Sequence, residues 1–164
     1  MTANQVELAV AAMLDYRQCI IVPNVSYGLP CLNYEADMVV LRDSMWADEI
    51  EIKVTASDIR ADKKKKHNHN CVWFRSLYFA VPEELATHPD IPERAGIYAV
   101  NQDKYGICRA YKVRAAKLSP NARKFDPKNE RRLLRLAAMR TWTLKKHLAN
   151  AMNRDSRNFA EVAK

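Results

Sequence analysis

The sequence predicts an α/β fold in which a central mixed sheet is flanked by helices. Three observations carry that expectation. Helical periodicity marks both ends of the chain, strand-like stretches bounded by turn residues fill the middle, and a short helical segment follows a central hairpin.

In chain order, Thr2 and Gln5 have the spacing of a capping box. The helix they open is expected to run through Gln18, with Val6, Val10, Met13 and Leu14 as its inward stripe. A strand follows from Cys19 to about Ser26. Residues 34–41 and 46–55 are rich in β-formers, and residues 42–45 separate them as a turn, which predicts a hairpin. Ser57 or Thr55 can cap a second helix over residues 58–66, whose four closing lysines suit the negative end of a helix dipole. Later strands are expected at residues 73–81, 96–100 and 107–113, with a loop holding Pro82, Pro89 and Pro92 among them. A long helix is predicted from about Pro127 to Asn153, placing Leu133, Leu134, Ala137, Leu144 and Leu148 towards the core, with fraying after Asp155.

With 164 residues and 48% hydrophobic content, the chain can bury one good core, and one domain over residues 1–164 is expected. That domain divides into a core of about residues 5–115 and a basic helical extension of about 120–155. No apolar run is long enough to cross a bilayer and the N-terminus lacks a signal-peptide pattern, so a soluble protein of the cytoplasm is expected. Cys19, Cys31, Cys71 and Cys108 form no paired motif and read as reduced thiols. The run His67-Asn68-His69-Asn70-Cys71 holds zinc-type donors without the usual paired spacing and reads as a polar loop after a helix.

The charge is unevenly distributed. The formal balance is +8, but residues 1–103 hold ten Lys/Arg against fifteen Asp/Glu, or −5, whereas residues 104–164 hold seventeen against four, or +13. That excess fits contact with a phosphate backbone, and a solvated basic helix is the alternative. Lys63, Lys64, Lys65 and Lys66, with Arg131, Arg135 and Lys146 on one face of the long helix, are the candidate DNA contacts. Trp142 falls near those three and could stack on an unpaired base, although a Trp on a long helix more often packs inward.

The most informative stretch is central. Glu49, Glu51 and Lys53 alternate with Ile50, Ile52 and Val54, so the charges share one strand face. A hairpin centred on Ser44 sets Asp37 opposite Glu51, and a register shifted by one would separate them onto opposite faces. Paired carboxylates call for a hard divalent cation, Mg²⁺ or Mn²⁺, and an adjacent ammonium can offset charge on a phosphorane. The same alternation also describes an ordinary solvated face of an antiparallel sheet.

Asp37 followed by Glu51-Ile52-Lys53 resembles the signature of the PD-(D/E)xK, or restriction-endonuclease-like, superfamily, with Ala36 where the proline of its name would stand. The block from Glu49 to Lys64 is similar to that of MmcB-like DNA-repair proteins and related phage and bacterial nucleases, and residues 77–82 and 95–100 are similar to later core strands of that group. The resemblance covers about Gln5 to Ala115. It implies a restriction-endonuclease-like core, Asp37, Glu51 and the Ile52 carbonyl as metal ligands, and Lys53 as the catalytic lysine. Glu7 is the candidate for an additional acid from the first helix, or else a partner of the helix dipole. Asp58 and Asp62 match the block, with helix capping and chemistry both open as roles.

The function expected is metal-dependent hydrolysis of DNA in phage or bacterial repair or recombination. The alternative is a non-catalytic DNA-binding or assembly module that retains the fold. DNA structure, DNA versus RNA, the number of metals, and whether two copies pair as a homodimer to cut both strands stay open. No sequence-specific reader motif is present, so nonspecific or structure-selective action is expected.

Overall fold

A computed structural model describes residues 1–26, 29–30, 32–63 and 69–162, with side chains described up to residue 153. Six strands, β1 Ile20–Val25, β2 Ala36–Leu41, β3 Ala47–Ile52, β4 Phe74–Pro82, β5 Gly96–Gln102 and β6 Cys108–Arg114, form one sheet in sequential order. Three α-helices accompany it, α1 Ala3–Met13, α2 Ala56–Lys63 and α3 Pro127–Val162. The first three strands are an antiparallel meander, β3, β4 and β5 run parallel, and β6 returns antiparallel. The sheet is therefore mixed. Each parallel pair needs a crossover of about a dozen residues or more. Residues 53–73, containing α2, and residues 83–95, containing a single 3₁₀ turn, supply them.

Local chemistry explains most boundaries. Thr2 and Gln5 form both halves of the capping box, the Gln5 amide donating to Thr2 Oγ1 and the Thr2 amide to Gln5 Oε1. The helix stops at Met13, short of Gln18, because Asp15 turns into the left-handed region at φ 58°. Thr55, not Ser57, caps α2: the Asp58 amide donates to Thr55 Oγ1, and the Thr55 amide donates to Asp58 at 3.1 Å each. Asp58 is thus a capping residue. In the β2–β3 turn, Met45 adopts φ 64°, the left-handed residue that a three-residue hairpin loop requires.

Two apolar layers enclose the sheet. Val6, Ala9 and Val10 of α1 cover Met38, Val40, Ile50, Ala80, Tyr98 and Val100 on one face. On the other face two clusters form, one around Val22, Val39, Leu41, Phe74, Phe125 and Leu133, the other around Ile59, Leu77, Phe79, Val81 and Ile97. Gly96 is required where β5 meets β4, since a Cβ there would lie 2.2 Å from the ring of Tyr78, which stacks on Tyr98 at 4.3 Å.

The long helix buries only the first part of its expected stripe. Leu133 is fully buried, with Leu136 and Ala137 half-buried beside it, whereas Leu134, Leu144 and Leu148 are exposed. Contact with β1 ends near Arg140, which donates to the Asn24 carbonyl and to Ser26 Oγ. The apolar residues of the later turns therefore have no sheet beneath them to meet. The helix also continues past Asn153 to Val162. Among the described residues no helix is long and apolar enough to cross a membrane.

This facing gives a test by urea denaturation. Leu133→Ala should cost about 2–5 kcal/mol, the usual range for a core truncation, and Leu144→Ala should stay within about 0.5 kcal/mol. Equal losses at the two positions would contradict the observed burial.

Candidate functional site

The hairpin register puts the central acids together. Met38 pairs with Ile50, Val39 with Glu49, Val40 with Asp48 and Leu41 with Ala47, all symmetric about Ser44. Continuing that ladder sets Asp37 opposite Glu51, and Asp37 Oδ2 accepts a 2.8 Å hydrogen bond from the Ile52 amide. Cross-strand partners share a face, so Asp37, Val39, Glu49 and Glu51 all look away from α1. That face is not solvated as an ordinary antiparallel sheet face would be: Glu49 and Glu51 are 0% exposed and Lys53 is 6% exposed. They lie between the two apolar clusters, because Val39 belongs to one and Leu77 and Phe79, the β4 partners of Glu49 and Glu51, belong to the other.

Two cations neutralise part of this cluster. The Lys53 ammonium lies 2.5 Å from Glu51 Oε2, 3.3 Å from Asp62 Oδ1 and 3.5 Å from Asp37 Oδ2, and 6.0 Å from the centre of the Phe79 ring. His69 stands between Glu49 and Asp62, with Nδ1 2.8 Å from Glu49 Oε1 and Nε2 2.9 Å from Asp62 Oδ2. Glu51 Oε1 is 3.8 Å from the same Nδ1. Tyr34 meets the imidazole edge-on at 5.6 Å. His69 itself sits at φ 50°, a left-handed backbone costly for a residue with a Cβ, held because the ring is bonded on both sides.

These surroundings move the proton equilibria. Burial pushes the Glu51 carboxyl up to about 7, with the charges of Asp37 and Glu49 acting the same way and Lys53 opposing them. Burial alone would lower the His69 and Lys53 values. Hydrogen bonds donated to the Asp62 and Glu49 carboxylates nevertheless raise His69 to about 9, and the neighbouring Glu51, Asp37 and Asp62 raise Lys53. Both are therefore charged near pH 7. Burial raises the Glu7 carboxyl on α1, and the charge of Asp37 raises it further, so Glu7 is close enough to the cluster to feel it.

Among the described residues, the carboxyls of Asp37, Glu49, Glu51 and Asp62 converge on the two cations Lys53 and His69. Carboxylates brought this close repel each other, and a divalent cation is a natural counterion for a hard oxygen donor set. The donors present fit such an ion. Oxygen and nitrogen atoms of Glu49, Glu51 and His69 also lie within 4.8 Å of one another. Because both His69 nitrogens face carboxylates, that residue must surrender a proton and a hydrogen bond before it can ligate, which favours the carboxylates as ligands.

The other predicted contacts fall elsewhere. Lys63 forms a 2.7 Å ion pair with Asp90, while Lys64, Lys65 and Lys66 lie outside the described residues. Arg131, Arg135, Trp142 and Lys146 are exposed on the side of α3 opposite Leu133, so Trp142 does not pack inward. A cleft of about 530 Å³ between α1, β1 and α3 holds Glu7, Asn24, Arg140 and His147.

The roles of Glu49 and His69 are not visible in the sequence. Glu49 shares the alternating face of Glu51, which is its one signal. His69, expected in a polar loop, is buried instead, because its partners Glu49 and Asp62 lie twenty and seven residues away and are joined only by the fold. Cys19 and Cys108 are free thiols, and Cys31 lies outside the described residues.

No protein-family model matches the chain, and no curated protein does. A solved structure with a similar fold is a protein of unknown function from Silicibacter pomeroyi, 19% identical, with a TM-score of 0.65 over 93% of this chain and 94% of that one.

The proton equilibria fix the direction of a stability test on metal-free protein. His69 has a folded value of about 9 against an ordinary 6.5, so its contribution is complete below pH 6.5 and is lost as pH rises through 9. Glu51, at about 7 against 4.5, likewise contributes below pH 4.5 and loses that contribution as pH rises through 7. Urea denaturation in EDTA should therefore show stability declining from about pH 4.5 to 9. Glu51→Gln should flatten the lower limb and His69→Asn the upper; stability that climbs between pH 6.5 and 9 would contradict this reading.

Proposed function

We propose that the protein is a divalent-metal-dependent nuclease of the restriction-endonuclease-like type that hydrolyses phosphodiester bonds in DNA. The observation that carries the proposal is the cluster in which Asp37 from β2 and the buried Glu51 and Lys53 from β3 converge within ion-pair distance. Sheet order and the first helix, hairpin and second helix that precede the parallel strands are compatible with such a core.

Asp37 and Glu51 would hold Mg²⁺ or Mn²⁺. In a strand the N–H and C=O of one residue point to the same side, so the Ile52 carbonyl looks towards β2, as its amide does towards Asp37. That makes it the third ligand. When bound, the ion supplies polarisation of a phosphoryl oxygen and a water of lowered pKa.

The chain's own groups do the rest. Lys53, kept protonated by its carboxylate neighbours, offsets charge that develops on the phosphoryl oxygens. Its longest contact, 3.5 Å to Asp37, is the one most readily exchanged when that carboxylate turns to an ion. Asp62 and the His69–Glu49 pair hold Lys53 and Glu51 in place from α2 and the 69–73 segment. Glu7 lies at the mouth, in the cleft that Arg140 and His147 also line, where a polyanion can reach the acids. The exposed Arg131, Arg135, Trp142 and Lys146 form a separate basic row on the opposite side of α3, where cations track a backbone and an indole can stack on a base.

A non-catalytic DNA-binding module is the second reading, favoured by the saturation of Lys53 with three carboxylates in the metal-free protein. Cleavage separates the two. Purified protein incubated with labelled single-stranded, duplex, flapped and branched DNA should cut at least one of them with added Mn²⁺. Asp37→Ala should reduce cutting to background while retaining salt-sensitive DNA binding. Salt-sensitive binding with no metal-dependent cutting of any substrate would establish the binding module instead.

A further inference from the structure

Next to the acid cluster, the start of β4 and the segment after β6 enclose a cavity of about 350 Å³. Arg75, Arg94 and Lys117 line it, together with Ser76, Ser119 and Asn121. Among the described residues no Asp or Glu does. His69 contributes to the same wall, so the cavity and the acid cluster meet at one imidazole. We propose that this cavity is a binding site for a phosphate-class anion, either free inorganic phosphate or the terminal phosphomonoester of a polynucleotide. The polynucleotide form rests on the nuclease reading; the anion site does not.

The cavity is built by identifiable devices. Between Ala47–Phe74 and Asp48–Ser76 the β3–β4 ladder skips Arg75, which is therefore a bulge residue. A bulge re-aims a side chain out of the regular alternation. The Arg75 guanidinium lies 4.7 Å from the centre of the Trp46 ring, a stacking contact that fixes its plane before any ligand arrives.

The outer wall is equally well anchored. The Lys117 amide donates to the Arg94 carbonyl at 2.9 Å, the Ser119 amide to the Arg75 carbonyl at 2.8 Å and the Arg123 amide to the Val72 carbonyl at 2.7 Å. The segment that brings Lys117 is thus tied by its backbone to both arginines. Arg94 is also bonded to the His69 carbonyl at 3.4 Å.

Among the described residues, three cations line one space on segments joined by backbone bonds, which makes it attractive to an anion. Lys117 has Glu93 at 3.7 Å, but that carboxylate is 94% exposed and such a pair contributes little. Two guanidinium groups, an ammonium, hydroxyls and an amide offer many donors in forked and single geometry, which matches the several oxygens of a phosphate better than a halide. The space is far larger than the roughly 30 Å³ share of one water, so a phosphate can enter with part of the group it terminates.

The test uses the full chain in EDTA. Inorganic phosphate is titrated calorimetrically and by thermal unfolding against sodium chloride at matched ionic strength, for the natural protein, Arg75→Gln and Lys117→Gln. Lys117 is solvent-exposed, so its replacement preserves the fold even if loss of the Trp46 stack perturbs Arg75→Gln. Phosphate should saturate and stabilise the natural protein, and each variant should bind it about tenfold more weakly or worse.

A second arm compares single-stranded oligonucleotides ending in a phosphate or a hydroxyl. A preference of about tenfold for the phosphorylated end, lost in Lys117→Gln, identifies the ligand as a polynucleotide terminus. Phosphate binding without that preference identifies free phosphate. Phosphate that acts no differently from chloride, or binds both variants as well as the natural protein, overturns the proposal. Phosphate binding in a protein that cuts no DNA would sink the nuclease reading and leave this one standing.

Discussion

The arrangement depends on one ammonium group. Lys53 collects Glu51 from its own strand, Asp37 from β2 and Asp62 from α2, and so ties three elements at a point where each brings a negative charge. Leaving such carboxylates buried without a cation costs several kcal/mol apiece, more than a typical single apolar contact returns. The hairpin register and the seating of α2 are therefore constrained as much by charge as by packing. Above this point the apolar layer of that face is divided, Val39 and Leu41 to one side and Leu77 and Phe79 to the other.

His69 extends the same constraint. By facing Glu49 and Asp62 together it fastens the segment after α2 to β3, at the expense of a left-handed backbone. The imidazole also borders the cationic cavity of Arg75, Arg94 and Lys117, so it stands between that cavity and the acid cluster.

How far this was legible in the sequence follows from the range of each interaction. Period-two alternation, turn residues and caps act over a few residues, and they located the hairpin, its register about Ser44 and the paired positions of Asp37 and Glu51. The same local signals were ambiguous about burial, since Glu49, Glu51 and Lys53 could have faced water. What buried them is α2 and the 69–73 segment closing over β3, a long-range event. His69 does lie in a loop after α2, and its burial there escaped the local signals for the same reason. In α3 the helical spacing of Leu133, Leu134, Ala137, Leu144 and Leu148 suggests an inward stripe, of which Leu133 and Ala137 meet the core. The helix instead meets β1 only near Leu133 to Arg140, so its apolar residues beyond have nothing beneath them.

The central claim is that the acids of this cluster form a divalent cation site. Calorimetric titration of Mn²⁺ into EDTA-stripped, desalted protein at neutral pH tests it without reference to any substrate. The account predicts saturable binding that disappears in the Asp37→Asn, Glu51→Gln double variant while that variant stays folded. Binding of equal strength in the double variant, or none in the natural protein, would contradict it.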